Sequence, residues 1–175
     1  FAGVGTIPFE ACLNNRIGLG SDISIMAYYI SQAKVGYTDR RLAYDCIKRL
    51  DEYININQAS LYELNKYGDF GLNRTLKDYY HPDTFCEILL ARRFFKNFKP
   101  SNPSEMVVVS ALMHILHGNR PYALSRKSHS ITPYAPTGDF VYKKLIEKLT
   151  KKVDKFFNEK ESPLLQEGEI FLQDS

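Results

Sequence analysis

Tryptophan is absent, cysteine occurs three times, and no apolar run is long. Each shortage excludes something. Cys12, Cys46 and Cys86 are odd in number and far apart, which does not suit a disulfide framework; reduced thiols, and a cytoplasmic location, are the expectation. The longest apolar stretch, Met106 to Leu116, covers about 11 residues and is interrupted by Ser110 and His114, where a bilayer-spanning helix needs about 20. No membrane span is expected. The first residue is not Met, and no charged segment leads into an apolar run with a small-residue cleavage site, so no secretory signal is visible and the start reads as cut. What is present, 175 residues with 44% hydrophobic and 25% charged, suits one ordinary folded domain. A formal charge of +3 permits contact with a polyanion without requiring it.

The most informative residues come first. Phe1-Ala2-Gly3-Val4-Gly5-Thr6-Ile7-Pro8 reads as a tight Gly-x-Gly turn entering a helix that runs to about Asn15, with Pro8 in the first turn, where a missing amide hydrogen costs nothing. Such a turn lets a backbone approach a ligand and aims the positive end of the helix at an anion. The run Arg16 to Ile23 then suits a parallel strand with Asp22 at its carboxyl end, where a carboxylate can accept both hydroxyls of a ribose. Three nucleotide sites compete. A phosphate loop needs Gly-Lys-Ser/Thr, but Thr6-Ile7 follows Gly5. The dinucleotide fingerprint asks for a third glycine where Pro8 stands, so NAD or FAD fits poorly. An S-adenosylmethionine site fits best.

Phe1-Ala2-Gly3-Val4-Gly5-Thr6 followed by Ile7-Pro8-Phe9-Glu10-Ala11 resembles the end of the D-P-F-x-G-x-G-T motif of the amino-group methyltransferases, which modify exocyclic nitrogens of bases in DNA or RNA. Gly20-Ser21-Asp22-Ile23-Ser24 is similar to the second motif of that family, and Ile170-Phe171-Leu172-Gln173-Asp174-Ser175 to its third. Tyr80-His81-Pro82-Asp83-Thr84, and the stretch from Ala111-Leu112 through Leu116-His117-Gly118, are similar to a subgroup of bacterial DNA methylases with a helical insertion. The resemblance implies an α/β fold, an incomplete Rossmann-like sheet that is mostly helical in this segment. It implies S-adenosylmethionine as cofactor and DNA as partner. Phe1, Gly3, Gly5 and Thr6 would lie at the methionine end, Asp22 and Ile23 at the ribose and adenine, and Asp174 beside the adenine amino group.

The family's catalytic tetrad, Asp/Asn/Ser-Pro-Pro-aromatic, has no counterpart, because the sequence contains no Pro-Pro dipeptide. Asn102-Pro103-Ser104-Glu105 and Thr132-Pro133-Tyr134 are the nearest strings, and each serves equally as a turn or helix start. No catalytic residue is therefore assigned. The expectation is a fragment whose catalytic motif sits in the remainder of the chain or in a partner chain, with adenine N6 or cytosine N4 as acceptor. An RNA guanine-N2 methyltransferase and a non-catalytic nucleic-acid-binding subunit that keeps the cofactor fold are the alternatives.

Residues 1–36 accordingly read as the start of the cofactor domain, 37–160 as a helical insertion suited to target recognition, and 161–175 as the return to the sheet. Within the insertion, apolar spacing (Leu42, Ile47, Leu50, Ile54) predicts a helix over 39–53, and others follow over 57–66, 82–97, 103–117 and 138–158. Asp69 to Asn73 reads as a loop. The last helix would carry Val141, Leu145, Leu149, Val153 and Phe156 on one stripe and most of its lysines on the wet face. Residues 119–160 hold ten basic and four acidic side chains, a local +6. Arg120, Arg126 and Lys127, set among serines with no acid nearby, suit phosphate contact. His114 and His117 stand three apart on a helix, but His81, His129 and the cysteines lack ligand spacing, so no metal is expected.

Overall fold

The computed structural model describes residues 2–69, 75–116, 138–159 and 164–174. They are mostly helical, with one small parallel sheet, an arrangement compatible with the α/β class. Two compact units result, Phe1–Lys48 with Lys99–Met113 and Leu149–Ser175, and Arg49–Phe98 with His114–Lys148. The division runs elsewhere than the sequence boundaries at 36 and 160, since parts of the expected insertion pack in the unit that holds the sheet.

The first unit begins with α1 (Thr6–Leu13), β1 (Leu19–Asp22) and α2 (Ile25–Val35). β1 pairs in parallel with β2 (Glu169–Leu172), Gly20 opposite Ile170 and Asp22 opposite Leu172. Beneath this pair Cys12, Val35, Leu164 and Ile170 form a core, joined by Ala2, Phe9, Leu13 and Tyr28. Packing α1 this close depends on Gly18, because a Cβ there would sit 2.1 Å from the Pro8 carbonyl oxygen. The glycine that permits close helix–strand approach thus lies on the strand side, which frees position 8 for proline.

α2 carries no polar/apolar period to announce it: Tyr29, Ser31, Ala33 and Val35 are all buried. α3 (Arg40–Ile56) starts where the Asp39 carboxylate accepts the amides of Arg41 and Leu42. Its buried stripe is Ala43, Cys46, Ile47 and Leu50, at the expected i, i+3, i+4, i+7 spacing, while Leu42 is 40% exposed and stands off it. α7 (Pro103–Ile115) begins with the Asn102 side chain accepting the Glu105 amide, and Met106 through Val109 are buried. Asn102-Pro103 is here a helix start. Ser104 accepts the Asp39 amide at 2.8 Å, and Tyr44 donates to Asp154, tying the start of α3 to α7 and to the end of α8 (Leu145–Asn158).

In the second unit, α4 (Leu61–Gly68) opens on a capping box in which Ser60 and Glu63 satisfy each other's backbone amides. A single turn, α5 (Leu76–Tyr79), precedes α6 (Pro82–Asn97), whose bounds coincide with those expected. Tyr79, Tyr80, Phe85 and Leu89 form the core, with Leu64, Tyr67 and Leu76 against it. The expectation of a helix from 138 is corrected: α8 starts at Leu145, and Val141 precedes it, 57% exposed. The reason lies on α6. Thr84 Oγ1 both donates to the Lys143 carbonyl (2.9 Å) and accepts its amide (3.2 Å), and Glu87 accepts the Leu145 amide at 2.6 Å. Side chains thus satisfy the backbone that a longer helix would have used.

Cys12 and Cys46 are buried and Cys86 half-buried, all as free thiols. Among the described residues no helix is long and apolar enough to cross a membrane.

Candidate functional site

Gly3 and Gly5 both adopt left-handed backbone, at φ 55° and 71°, which only glycine does cheaply. The two differ in surroundings. A Cβ on Gly5 would meet Ser31 of α2 at 2.8 Å, whereas nothing lies within 4 Å of one on Gly3, so one side of the turn is pressed on α2 and the other is open.

α2 and β1 hold the turn by its polar atoms. Ser31 Oγ donates to the Gly3 carbonyl at 3.1 Å, and one helical turn on, Lys34 Nζ donates to the Val4 carbonyl at 2.6 Å. With its carbonyls drawn to α2, the turn gives its Gly3 amide to Asp22 Oδ2 at 3.0 Å. Asp22 Oδ1 accepts the Ser24 amide at 2.9 Å, at the N-terminus of α2. These two amides, Ser24 foremost, hold the Asp22 carboxyl below the usual carboxylate range. Burial pushes the Lys34 ammonium down. On the far side of Gly5, α1 starts without a side-chain cap, and Pro8 in its first turn has no amide hydrogen.

Gly3, Gly5 and Thr6 form the turn and the first residue of α1, and Asp22 ends β1 with only 8% of its surface exposed. Ile23 follows it, 68% exposed. Asp174 lies two residues past β2, reached through the Gln173 amide, which donates to the Asp22 carbonyl at 3.2 Å. All of these stand at the carboxyl edge of the parallel pair. The Ala2 amide also donates to the Ser21 carbonyl at 2.7 Å, so the residue entering the turn is bonded to β1. Phe1, Arg120, Arg126 and Lys127, together with His117, His129 and Thr132-Pro133-Tyr134, lie outside the described residues. Ser31 and Lys34 are the contributors that sequence reasoning misses; an i, i+3 pair of polar residues inside an apolar helix was their one signal.

Among the described residues no three His, Cys, Asp or Glu side chains gather as a metal ion would require. His81 instead caps α6, its Nδ1 accepting the Asp83 amide at 3.3 Å.

No family model matches the chain, and no curated protein or solved structure matches it either.

Proposed function

We propose that this chain carries the cofactor-binding part of an S-adenosylmethionine-dependent methyltransferase with a Rossmann-like sheet, acting on exocyclic amino nitrogens of DNA. The observation that carries the reading is the hydrogen bond from Gly3 N to Asp22 Oδ2, which makes the glycine turn and the strand-end acid one unit. A carboxylate offers about four lone-pair sites. Two are used on the Gly3 and Ser24 amides, which fix its position, and two are left for the vicinal hydroxyls of a ribose. The open side of Gly3 admits a ligand against the backbone, and the uncapped start of α1 favours a negative group such as the carboxylate of a methionine moiety.

The residues present fit the group in these respects. Gly3, Gly5 and Thr6 would receive its amino-acid end, Asp22 its ribose, and Ile23 and Asp174 its adenine. When bound, the cofactor supplies an electrophilic methyl group on a sulfonium. The chain's own part is to orient it: Ser31 and Lys34 keep the turn's carbonyls on α2, so that its amide side stays turned to the acid. An exocyclic amine has its lone pair delocalised into the base ring and needs hydrogen-bond acceptors to align it for attack. Those acceptors are assigned to the rest of the methyltransferase chain or to a partner chain.

Calorimetry of the intact protein with S-adenosylmethionine tests this. Saturable binding is expected, weakened at least about tenfold by Asp22→Ala, the loss of a pair of charge-assisted hydrogen bonds. Equal affinities for wild type and variant would overturn the assignment.

A further inference from the structure

The second unit contains a cleft of about 470 Å³ between α4 and α6 that the cofactor reading does not use. Two helical columns face each other across it, Tyr62 and Lys66 on α4, Arg92 and Lys96 on α6, each pair four residues apart and so on one face. Lys66 and Arg92 both approach the Tyr67 ring, at 5.6 and 4.1 Å from its centroid, and Lys66 also lies over Tyr62 at 5.3 Å. Glu63, the one acid among the described residues lining the cleft, is spent: both its oxygens accept from the Arg93 guanidinium, which donates further to the Gln58 carbonyl. Lys66, Arg92 and Lys96 therefore line the cleft with no carboxylate of the described lining left for them, Lys66 Nζ donating to the Tyr62 hydroxyl at 3.1 Å, and the surplus positive charge suits an anion.

We infer that the α4–α6 cleft binds a single strand of nucleic acid, its phosphates on Lys66, Arg92 and Lys96 and a base on the exposed ring of Tyr62. The lining chooses among anions. Among the described residues it contains no aliphatic side chain, which disfavours a lipid surface, and it combines cations with Tyr62, 68% exposed, the combination by which strands are held without base reading. The inference stands on the cleft alone. S-adenosylmethionine calorimetry and strand binding can each fail without the other.

The test is fluorescence anisotropy of the intact protein with a labelled oligothymidylate about 12 nucleotides long, titrated at several salt concentrations. Replacing all three cations (Lys66→Gln, Arg92→Gln, Lys96→Gln) should weaken binding about 30-fold or more at low salt and flatten the slope of log K against log salt by about 2. Tyr62→Leu should weaken it about tenfold and leave that slope unchanged. These side chains are exposed, and thermal melts read by circular dichroism should show the variants folded. A matched triple on α8 (Lys148→Gln, Lys151→Gln, Lys155→Gln) should leave affinity within about threefold, since these lysines do not line the cleft and exposed charge is screened by salt. An equal loss from the α8 triple, no binding by the wild type, or stronger competition by polyglutamate or anionic phospholipid vesicles than by unlabelled oligonucleotide would each overturn the inference.

Discussion

At the glycine turn the polar contacts are made by backbone: two carbonyls held from α2, one amide received by Asp22, and glycines that let chains touch. In the α4–α6 cleft the lining is made by the ends of long side chains, Lys66 and Arg92 over tyrosine rings and Lys96 one turn on from Arg92. Backbone geometry is sensitive to single carbon atoms and nearly indifferent to ionic strength, whereas side-chain charge tolerates changes of shape and is screened by salt. The first place is therefore disturbed by added atoms, and the second by added salt.

The largest effect should come from adding one methyl group in the first unit. Gly18→Ala puts a Cβ against backbone, at the Pro8 carbonyl, and should cost about 3 kcal/mol in urea unfolding, while Gly3→Ala, which meets open space, should cost about 1 kcal/mol for its left-handed φ alone. Equal costs would break the contrast. In the second unit the corresponding place is the Glu63–Arg93 pair, both partners half-buried. The Arg93 guanidinium lowers the Glu63 carboxyl from its usual 4.5 to about 2, so its stabilisation is complete above the unfolded value and disappears as pH falls through the folded one. Glu63→Gln should cost about 2 kcal/mol at neutral pH, and the difference from wild type should vanish between about pH 4.5 and 2.

Asp22 sharpens the comparison by pH. Its carboxyl is also lowered, by the Ser24 and Gly3 amides, so Asp22→Asn should remove part of the wild-type loss of stability that begins as pH drops below the ordinary carboxylate range. The variant's urea midpoint, read by circular dichroism at several pH values, should be less steeply pH-dependent than that of the wild type. The smallest effect is Tyr142→Phe. The Tyr142 hydroxyl donates to Glu87 at 2.6 Å, which pushes it up to about 12, but the residue is 47% exposed. Screened by solvent, the bond should contribute about 0.5 kcal/mol below pH 10 and lose that as pH rises through the folded value.

Local signals were legible where they were self-contained. Pro82 and Pro103 mark helix starts because a proline's missing amide hydrogen is harmless in a first turn. Asp22 ends a strand and Gly5 opens α1, as the spacing of the glycine turn predicts. Features that depend on a neighbour were not. Gly18 looks like any strand glycine until α1 is packed on it, and the start of α8 is decided by Thr84 and Glu87, about sixty positions away on α6. The cleft was invisible for the same reason: Tyr62 with Lys66 and Arg92 with Lys96 are two unremarked surface pairs until α4 and α6 stand side by side. The basic segment with Arg120, Arg126 and Lys127 lies outside the described residues.

The order of assembly follows from where the bonds of the first unit reach. Gly3 and Asp22 are 19 positions apart, whereas Gln32 receives the Ile170 amide across 138. Closing the longer loop loses more chain entropy before any contact repays it, so the turn and its acid can form as a local nucleus while β1 still waits for its neighbour. A hydrogen-exchange pulse during refolding would register the Gly3 and Ser24 amides as protected before those of Ile170 and Gln173.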